Sequence, residues 1–351
     1  MNLLIPLLLL LSTAECYQPR KYIINLDEHP SQRWNEVIRD HLEYLPGFVE
    51  EGKKYIPSFA QPVVFWLSEK LIYLFDRVYR EELRGIALES GLPLGEVVGF
   101  NILYDITAFN RKNILGSLGC TSMVVETSRG EIYHGRNLDY EMTDLLKNIT
   151  IYADFQKNGT TIYSGITFAM YNGLLTGQRP KKFSVSLNAR YSGAYIDNIL
   201  MELYTRFRRP ISYLIREVLE TEDSFEGALD RFSSQKLVAP EYLILAGTKS
   251  GEGALISRNR WSAAQVTRLQ PEYGRWFLVE TNFDNWKEQG DERRLTAIRE
   301  LKNAGRTNFD ELTLNSVLNT VPVRNNLTIF TSVISPSRPE LMYHWTNILN
   351  R

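Results

Sequence analysis

The chain has 351 residues, 44% of them hydrophobic and 12% aromatic, and a net charge of −1. That is ample apolar material for one large domain or two, and the near-neutral balance offers no electrostatic footprint for a nucleic-acid partner. Two cysteines exclude a disulfide-dense scaffold, and the four histidines, at 29, 41, 134 and 344, lack the short spacing of a zinc site.

Residues 1–16, MNLLIPLLLLLSTAEC, carry a leucine run too short to span a bilayer and end in small residues, as a cleaved secretory leader does. Cleavage after Ala14 and after Cys16 fit equally. Beyond this point no apolar run reaches the roughly 18–20 residues of a membrane-spanning helix, so the mature chain is expected to be soluble. Acceptor triplets at Asn148, Asn158 and Asn326 agree with the secretory route and predict glycosylation there. Cys120 is then the lone thiol of an oxidising compartment, or one of two if Cys16 stays. Its count alone leaves a reactive thiol and a buried structural cysteine equally open.

Residues 20–115 read as mainly helical. A helix is expected at 34–42 and another over 63–83, with Val64, Leu67, Leu71, Leu74 and Val78 on one face. A third starts at Leu92-Pro93-Leu94, with proline in its first turn. Residues 111–119 have no period and read as an exposed connector. Strands follow: 121–126 and 131–136 around a Thr127-Ser128-Arg129-Gly130 turn, 149–155 and 161–164 around Asn158-Gly159, and 183–187. Helices are expected at 196–207, 211–219 and 225–232, strands at 242–245, 253–257 and 276–280, helices at 293–303 and 312–318, and a last strand at 327–334. A helical N-terminal third (17–119) thus precedes a larger α/β part (120–351), with the boundary just before Cys120.

The densest polar patch after the thiol is His134-Gly135-Arg136-Asn137-Leu138-Asp139-Tyr140. A hairpin that begins at Cys120 brings its second strand back beside the first, returning Arg136 and Asp139 to the thiol's end. A cation there favours thiolate, and a carboxylate can orient a free α-amine. Such an arrangement suits an enzyme whose nucleophile is the first residue of a processed chain, with its own amine as base. Gly119 leaves its carbonyl open to attack by the neighbouring thiol, so self-cleavage at Gly119-Cys120 would release that amine. A papain-like pair with His134 as base is the other possibility.

The run CTSMVVETSRGEIYHGRNLDY, with FSVSLNARYSG, GEGALISRNR, RWFLVETNFDNWK and DERRLTAI, resembles the acid amidases that comprise N-acylethanolamine-hydrolysing acid amidase and acid ceramidase. The resemblance extends from Tyr22 to Ile334. It implies an α+β, four-layer αββα N-terminal-nucleophile hydrolase with a helical N-terminal α subunit, self-cleaved in acid into an α/β heterodimer. It further implies Cys120 as nucleophile, Arg136 and Asp139 holding its sulfur and amine, Asn282 as oxyanion donor, Arg293 as a pocket residue, no metal or organic cofactor, and a lysosomal location. Arg293 could equally be half of a solvated pair with Arg294.

Two departures stand out. Relatives carry glutamate where this chain has Ala189, and the connector 112–119 is long for the family, both of which bear on maturation. The absence of acid ceramidase's disulfide cysteines and the short 140–146 segment favour the ethanolamide branch. Acid ceramidase activity is the near alternative, and a non-catalytic lipid-binding protein is the one from another class. The run Pro62-Val63-Val64-Phe65-Trp66-Leu67 with Lys70 reads as core or subunit interface, or as an amphipathic face that dips into lipid and receives a fatty acyl amide.

Overall fold

The computed structural model describes residues 16–54, 56–107, 119–140, 142–190, 210–237, 239–284, 286, 291–341 and 343–347. The leader through residue 15, the connector 111–118 and the helix expected at 196–207 lie outside the described residues. In chain order, β1 (Cys16–Tyr17) and β2 (Lys21–Asn25) precede α1 (Asn35–Asp40), α2 (Leu45–Lys53), α3 (Gln61–Leu71), α4 (Arg77–Ser90) and α5 (Leu94–Thr107). Then come β3 (Cys120–Glu126), β4 (Ile132–Asp139), α6 (Thr143–Asn148), β5 (Thr150–Lys157), β6 (Thr160–Phe168), β7 (Thr176–Arg179) and β8 (Phe183–Ala189). They are followed by α7 (Ile211–Thr221), α8 (Phe225–Ser234), β9 (Glu241–Ala246), β10 (Gly253–Arg258), β11 (Ala263–Arg268) and β12 (Phe277–Glu280). Last are α9 (Glu292–Ala304), α10 (Glu311–Asn319), β13 (Thr328–Ile334) and β14 (Tyr343–Asn347).

Two sheets form, one ordered β1-β14-β13-β4-β3-β12 and the other β11-β10-β9-β8-β7-β6-β5-β2. Period-2 alternation sends successive side chains to opposite faces. Met123 and Val125 of β3 therefore pack outward with Leu301 of α9 and Leu314 of α10, while Val124 points the other way, onto Tyr242 and Ile244 of β9. Helices α9 and α10 cover the first sheet and α7 and α8 the second, giving the four-layer αββα sandwich of an α+β protein. Close approach of α10 to its sheet needs the glycine at 135, where a Cβ would stand 3.0 Å from Leu318 Cδ1.

The expected hairpins form. Cys120 pairs with Leu138 and Ser122 with Arg136. The β5–β6 turn places Asn158 and Gly159 at φ of 50° and 69°, the left-handed pair that suits a two-residue hairpin.

Three expectations are corrected. The N-terminal third is not purely helical: β2 alternates exposed and buried residues and joins the edge of the larger sheet, parallel to β5. The helix expected over 63–83 is two helices. Phe75 adopts ψ 154° and turns its ring onto Tyr213, 5.6 Å away and nearly perpendicular, so the chain restarts at Asp76. Leu67 and Val78, expected on one face with Leu71, do not share its environment: both are exposed, while Leu71, Ile72 and Phe75 are buried. Strands β7, β11 and β14 were not expected; β7 is the polar run TGQR, and β11 is an edge strand with mostly exposed residues, so neither carries an apolar signature.

Candidate active site

Cys120 opens β3 with its side chain between the sheets and 4% exposed. Opposite Ser122 on the hairpin's second strand, three residues before its end, lies Arg136, whose Nη2 donates to Cys120 Sγ at 3.4 Å. Its Nη1 donates to Leu187 O and Asn188 Oδ1, both at 2.6 Å, and to Ser122 Oγ at 3.2 Å. Among the described residues no carboxylate forms an ion pair with this fully buried guanidinium. Neutral oxygens hold it and leave its charge directed at sulfur.

The peptide joining Gly119 to Cys120 is held from both ends. Gly119 O accepts from Asp139 N–H at 2.9 Å, and Cys120 N–H donates to Asn282 Oδ1 at 2.8 Å. Arg293, in the first turn of α9, donates through Nη1 to Cys120 O at 3.3 Å and through Nη2 to Asn282 Oδ1 at 3.1 Å. Asp291, which caps α9 through Arg293 N–H, pairs with the same guanidinium at 3.0 Å. A side chain at 119 would displace the two charged groups beside it, since a Cβ there would lie 2.5 Å from Arg293 Nη1 and 2.9 Å from Asp139 Oδ2.

The structure therefore brings Cys120, Arg136, Asp139, Asn282 and Arg293 together, with three changes from the sequence expectations. The Asp139 carboxylate does not touch the Cys120 nitrogen. It accepts from Thr328 Oγ1 at 2.6 Å and Asn325 Nδ2 at 2.9 Å and lies 3.5 Å from Arg293, because its side chain points to the outer face while its backbone N–H meets Gly119. Asn282 turns its oxygen to Cys120 and donates its Nδ2 to Ala189 O, so in the uncleaved chain that amide is not a free oxyanion donor. Arg293 and Arg294 are not a solvated pair: Arg294 is buried against Glu280 and Phe283 O. His134 is no base for the thiol. It pairs across from Val124, four residues along β3 from Cys120 and so about 13 Å away at 3.3 Å per residue.

Burial pushes the Cys120 thiol up; Arg136 and Arg293 oppose this, and Asp139 adds to it. Burial also raises the Asp139 carboxyl, against the pull of Thr328, Arg293 and Asn325. Beside Cys120 opens an apolar cavity of about 570 Å3, its mouth included, lined by Phe48, Phe100, Leu138, Met142, Phe168 and Leu175 among others. Leu138 is the cross-strand partner of Cys120. Phe48 and Phe100 come from the N-terminal helices, so both parts of the chain build the wall.

Sequence reasoning missed Ser122, Asn188, Asp291, Asn325 and Thr328. The signal for Asn188 was present in Ser184-Val185-Ser186-Leu187-Asn188, whose polar alternation would ordinarily mark a solvated face. Here it is a polar seam buried between two sheets.

A buried cysteine at the head of an inner strand of an αββα sandwich, under a cation that no carboxylate among the described residues neutralises, defines an amide hydrolase of the N-terminal-nucleophile architecture. The family profile for linear amide C–N hydrolases, choloylglycine hydrolase family, matches residues 120–305, and the chain belongs to that family. The profile for the beta subunit of N-acylethanolamine-hydrolyzing acid amidase matches residues 17–79, the segment lettered α above. The chain is 62% identical to an N-acylethanolamine-hydrolyzing acid amidase of Caenorhabditis elegans, over 96% of both chains. It is 37% identical to the Cavia porcellus protein of that name, over 93% of this chain and 90% of the relative. Human acid ceramidase is 36% identical, over 90% and 83%. The solved structure of a Caenorhabditis elegans N-acylethanolamine-hydrolyzing acid amidase ortholog aligns with TM-score 0.62 and 60% identity, over 65% of this chain and 100% of that one.

Proposed function

We propose that this protein is a lysosomal amidase that hydrolyses N-acylethanolamines to fatty acid and ethanolamine through Cys120, after cleaving itself at Gly119-Cys120. The observation that carries the reading is the apolar cavity that begins at Leu138, beside Cys120. A fatty acyl chain lying in it presents its carbonyl at sulfur.

Self-cleavage uses the contacts already made. Sγ, deprotonated beside Arg136, bonds to the Gly119 carbonyl carbon, and the Asp139 N–H at 2.9 Å receives the developing oxyanion. The C–N bond breaks, Cys120 nitrogen takes the proton that left Sγ and becomes an α-amine held by Asn282 Oδ1, and water hydrolyses the resulting thioester. Departure of Gly119 vacates the carbonyl slot, so the Asp139 N–H then serves the substrate carbonyl. The α-amine takes the thiol proton and passes it to the leaving ethanolamine, and water releases the fatty acid.

The two fragments, 17–119 and 120–351, stay paired through β2 on β5 and through the Glu82–Arg216 ion pair. A solved relative that spans 65% of this chain, about the share from Cys120 onward, supports the division. Asn148, Asn158 and Asn326 are exposed and are proposed to carry glycans. Phe59, Val63, Trp66 and Leu67, 45–86% exposed on and before α3, are proposed to dip into a lipid surface, with Lys70 at its edge.

The test is acid incubation followed by N-terminal sequencing and parallel assays with palmitoylethanolamide and a ceramide. The large fragment is expected to begin Cys-Thr-Ser-Met, the ethanolamide to be the better substrate, and Cys120→Ala to lose both cleavage and hydrolysis. Preference for the ceramide would make the protein a ceramidase; an intact chain with no acyl-thioester on Cys120 would make it a lipid-binding protein.

A further inference from the structure

Behind Arg136 runs a line of buried side chains that the mechanism above does not use. His134 lies between Ser184 and Ser186, with Nδ1 2.9 Å from Ser184 Oγ and Nε2 2.8 Å from Ser186 Oγ. Ser186 Oγ donates to Ser122 Oγ at 2.9 Å, and Ser122 Oγ to Asn188 Oδ1 at 2.8 Å. All of these residues are fully buried between the sheets.

The direction of every proton in the line follows from its far end. Asn188 Nδ2 donates to Glu280 O at 3.1 Å and Thr281 O at 2.9 Å, which fixes Oδ1 as the atom that faces Ser122 and Arg136. Oδ1 only accepts, so the Ser122 hydroxyl proton is committed to it. Ser186 must then be the donor to Ser122, and it must accept from His134 Nε2–H. Nδ1 is left as an acceptor for the Ser184 hydroxyl. One tautomer of one neutral imidazole therefore fits three hydroxyls aligned in a single sense, with the Ser122 lone pair turned onto Arg136 Nη1 beside the fixed Asn188 Oδ1.

We propose that His134 is a positioning residue for the thiol chemistry, holding Arg136 against Cys120 Sγ through Ser186, Ser122 and Asn188. The proposal rests on the nucleophile reading of Cys120. Burial, with the Arg136 charge second, lowers the His134 pKa to about 3, so the neutral tautomer persists in acid. Without it, Ser186 has no donor to hold its own proton on Ser122, and the Ser122 hydroxyl is free to turn. Arg136, whose Nε is unpartnered, then loses the Ser122 acceptor and pivots about its bonds to Leu187 O and Asn188 Oδ1, away from sulfur. Arg293, Asp139 and the α-amine freed by cleavage, the other charged groups at the thiol, are the same in every variant, so a moved midpoint reads Arg136.

The test is the pH dependence of Cys120 alkylation by iodoacetamide in the acid-matured full protein, followed on the Cys120 peptide by mass spectrometry. His134→Leu and Ser186→Ala are expected to raise the alkylation midpoint by about one pH unit, a roughly tenfold slowing on its acid side, as weakening one close cation does. Hydrolysis should lose kcat at unchanged KM. His134→Gln, which offers a donor to Ser186 and an acceptor to Ser184, is expected to bring the midpoint back to that of the unaltered protein. Folded His134→Leu and Ser186→Ala proteins with an unmoved midpoint overturn the relay; if His134→Leu does not fold, Ser186→Ala, which removes one hydroxyl, decides. Alkylation of Cys120 that leaves hydrolysis intact instead fails the nucleophile reading and the relay together.

Discussion

Replacing Glu82 with glutamine tests what joins the N-terminal helices to the rest of the molecule. Glu82 of α4 is fully buried and accepts from Arg216 of α7 through both nitrogens, at 2.6 and 3.0 Å, from Arg33 at 3.3 Å and from Asn172 at 3.0 Å. Arg216 in turn lies over the rings of Tyr79 and Phe155 and donates to Asn172 O. Glutamine keeps the shape but leaves a buried guanidinium without its counter-charge, a change that costs about 3–5 kcal/mol. With an unfolding entropy of roughly 0.7 kcal/mol/K for a chain of this length, that is a fall in melting temperature of about 4–7 °C. Burial opposes ionisation of Glu82, but Arg216, Arg33 and Asn172 outweigh it and hold the carboxyl below its usual 4.5. Because the folded pKa is depressed, the pair contributes fully above 4.5 and is lost only as pH falls through the lower folded value. The deficit should therefore be the same at pH 7 and at pH 5, before and after cleavage, in scanning calorimetry. Glu82→Leu combined with Arg216→Met should recover most of it. A shift below about 1 °C, or a double variant no better than Glu82→Gln, would refute the reasoning, since it requires most of the loss to come from the stranded Arg216, Arg33 being the more distant and less buried partner.

Three further outcomes follow from the site and its surroundings. Gly119→Ala should slow self-cleavage at least tenfold in a gel-based time course, because its Cβ meets Arg293 Nη1 and Asp139 Oδ2, while stability changes little; cleavage at the unaltered rate would contradict the packing. Leu175→Phe narrows the cavity and should reduce kcat/KM for long-chain ethanolamides roughly tenfold relative to short-chain ones, the order expected for a crowded hydrophobic pocket. Burial lowers the His344 pKa from 6.5 to about 3, so the unfolded chain takes up a proton that the folded one refuses and stability falls as pH drops below 6.5. By about pH 4.5 the loss is roughly 3 kcal/mol. His344→Gln should reduce the difference in urea midpoint between pH 7 and pH 4.5, His134, lowered likewise, still contributing its own part, and an unchanged difference would argue against a neutral buried imidazole.

Periodicity located most of the strands and the helices that cover them, because α7, α8 and the β3–β4 hairpin each satisfy their pattern locally. It failed where a neighbour decided the conformation. Phe75 breaks the expected helix to reach Tyr213, 138 residues away, and TGQR becomes β7 only because β6 and β8 supply its hydrogen bonds. The aromatic residues of α3 were legible as an ambiguity between core and surface, and they divide: Trp66 is exposed, while Phe65 packs edge-on against Phe100.

What the sequence by itself determined was the chemistry at one point. A lone cysteine after a glycine, a hairpin of the right length and a basic and an acidic residue on its return strand put a thiol, a cation and a carboxylate at one strand end, since strand rise and register are local matters. Only the tertiary structure decided which atom of each does what. The Asp139 backbone rather than its carboxylate meets the Gly119 carbonyl, and the Asn282 oxygen rather than its N–H2 meets Cys120. Arg136 keeps its charge for sulfur because the second sheet brings neutral oxygens to it. Those choices depend on side-chain facing and on partners up to 189 residues apart, and the packing of two sheets is what fixes both.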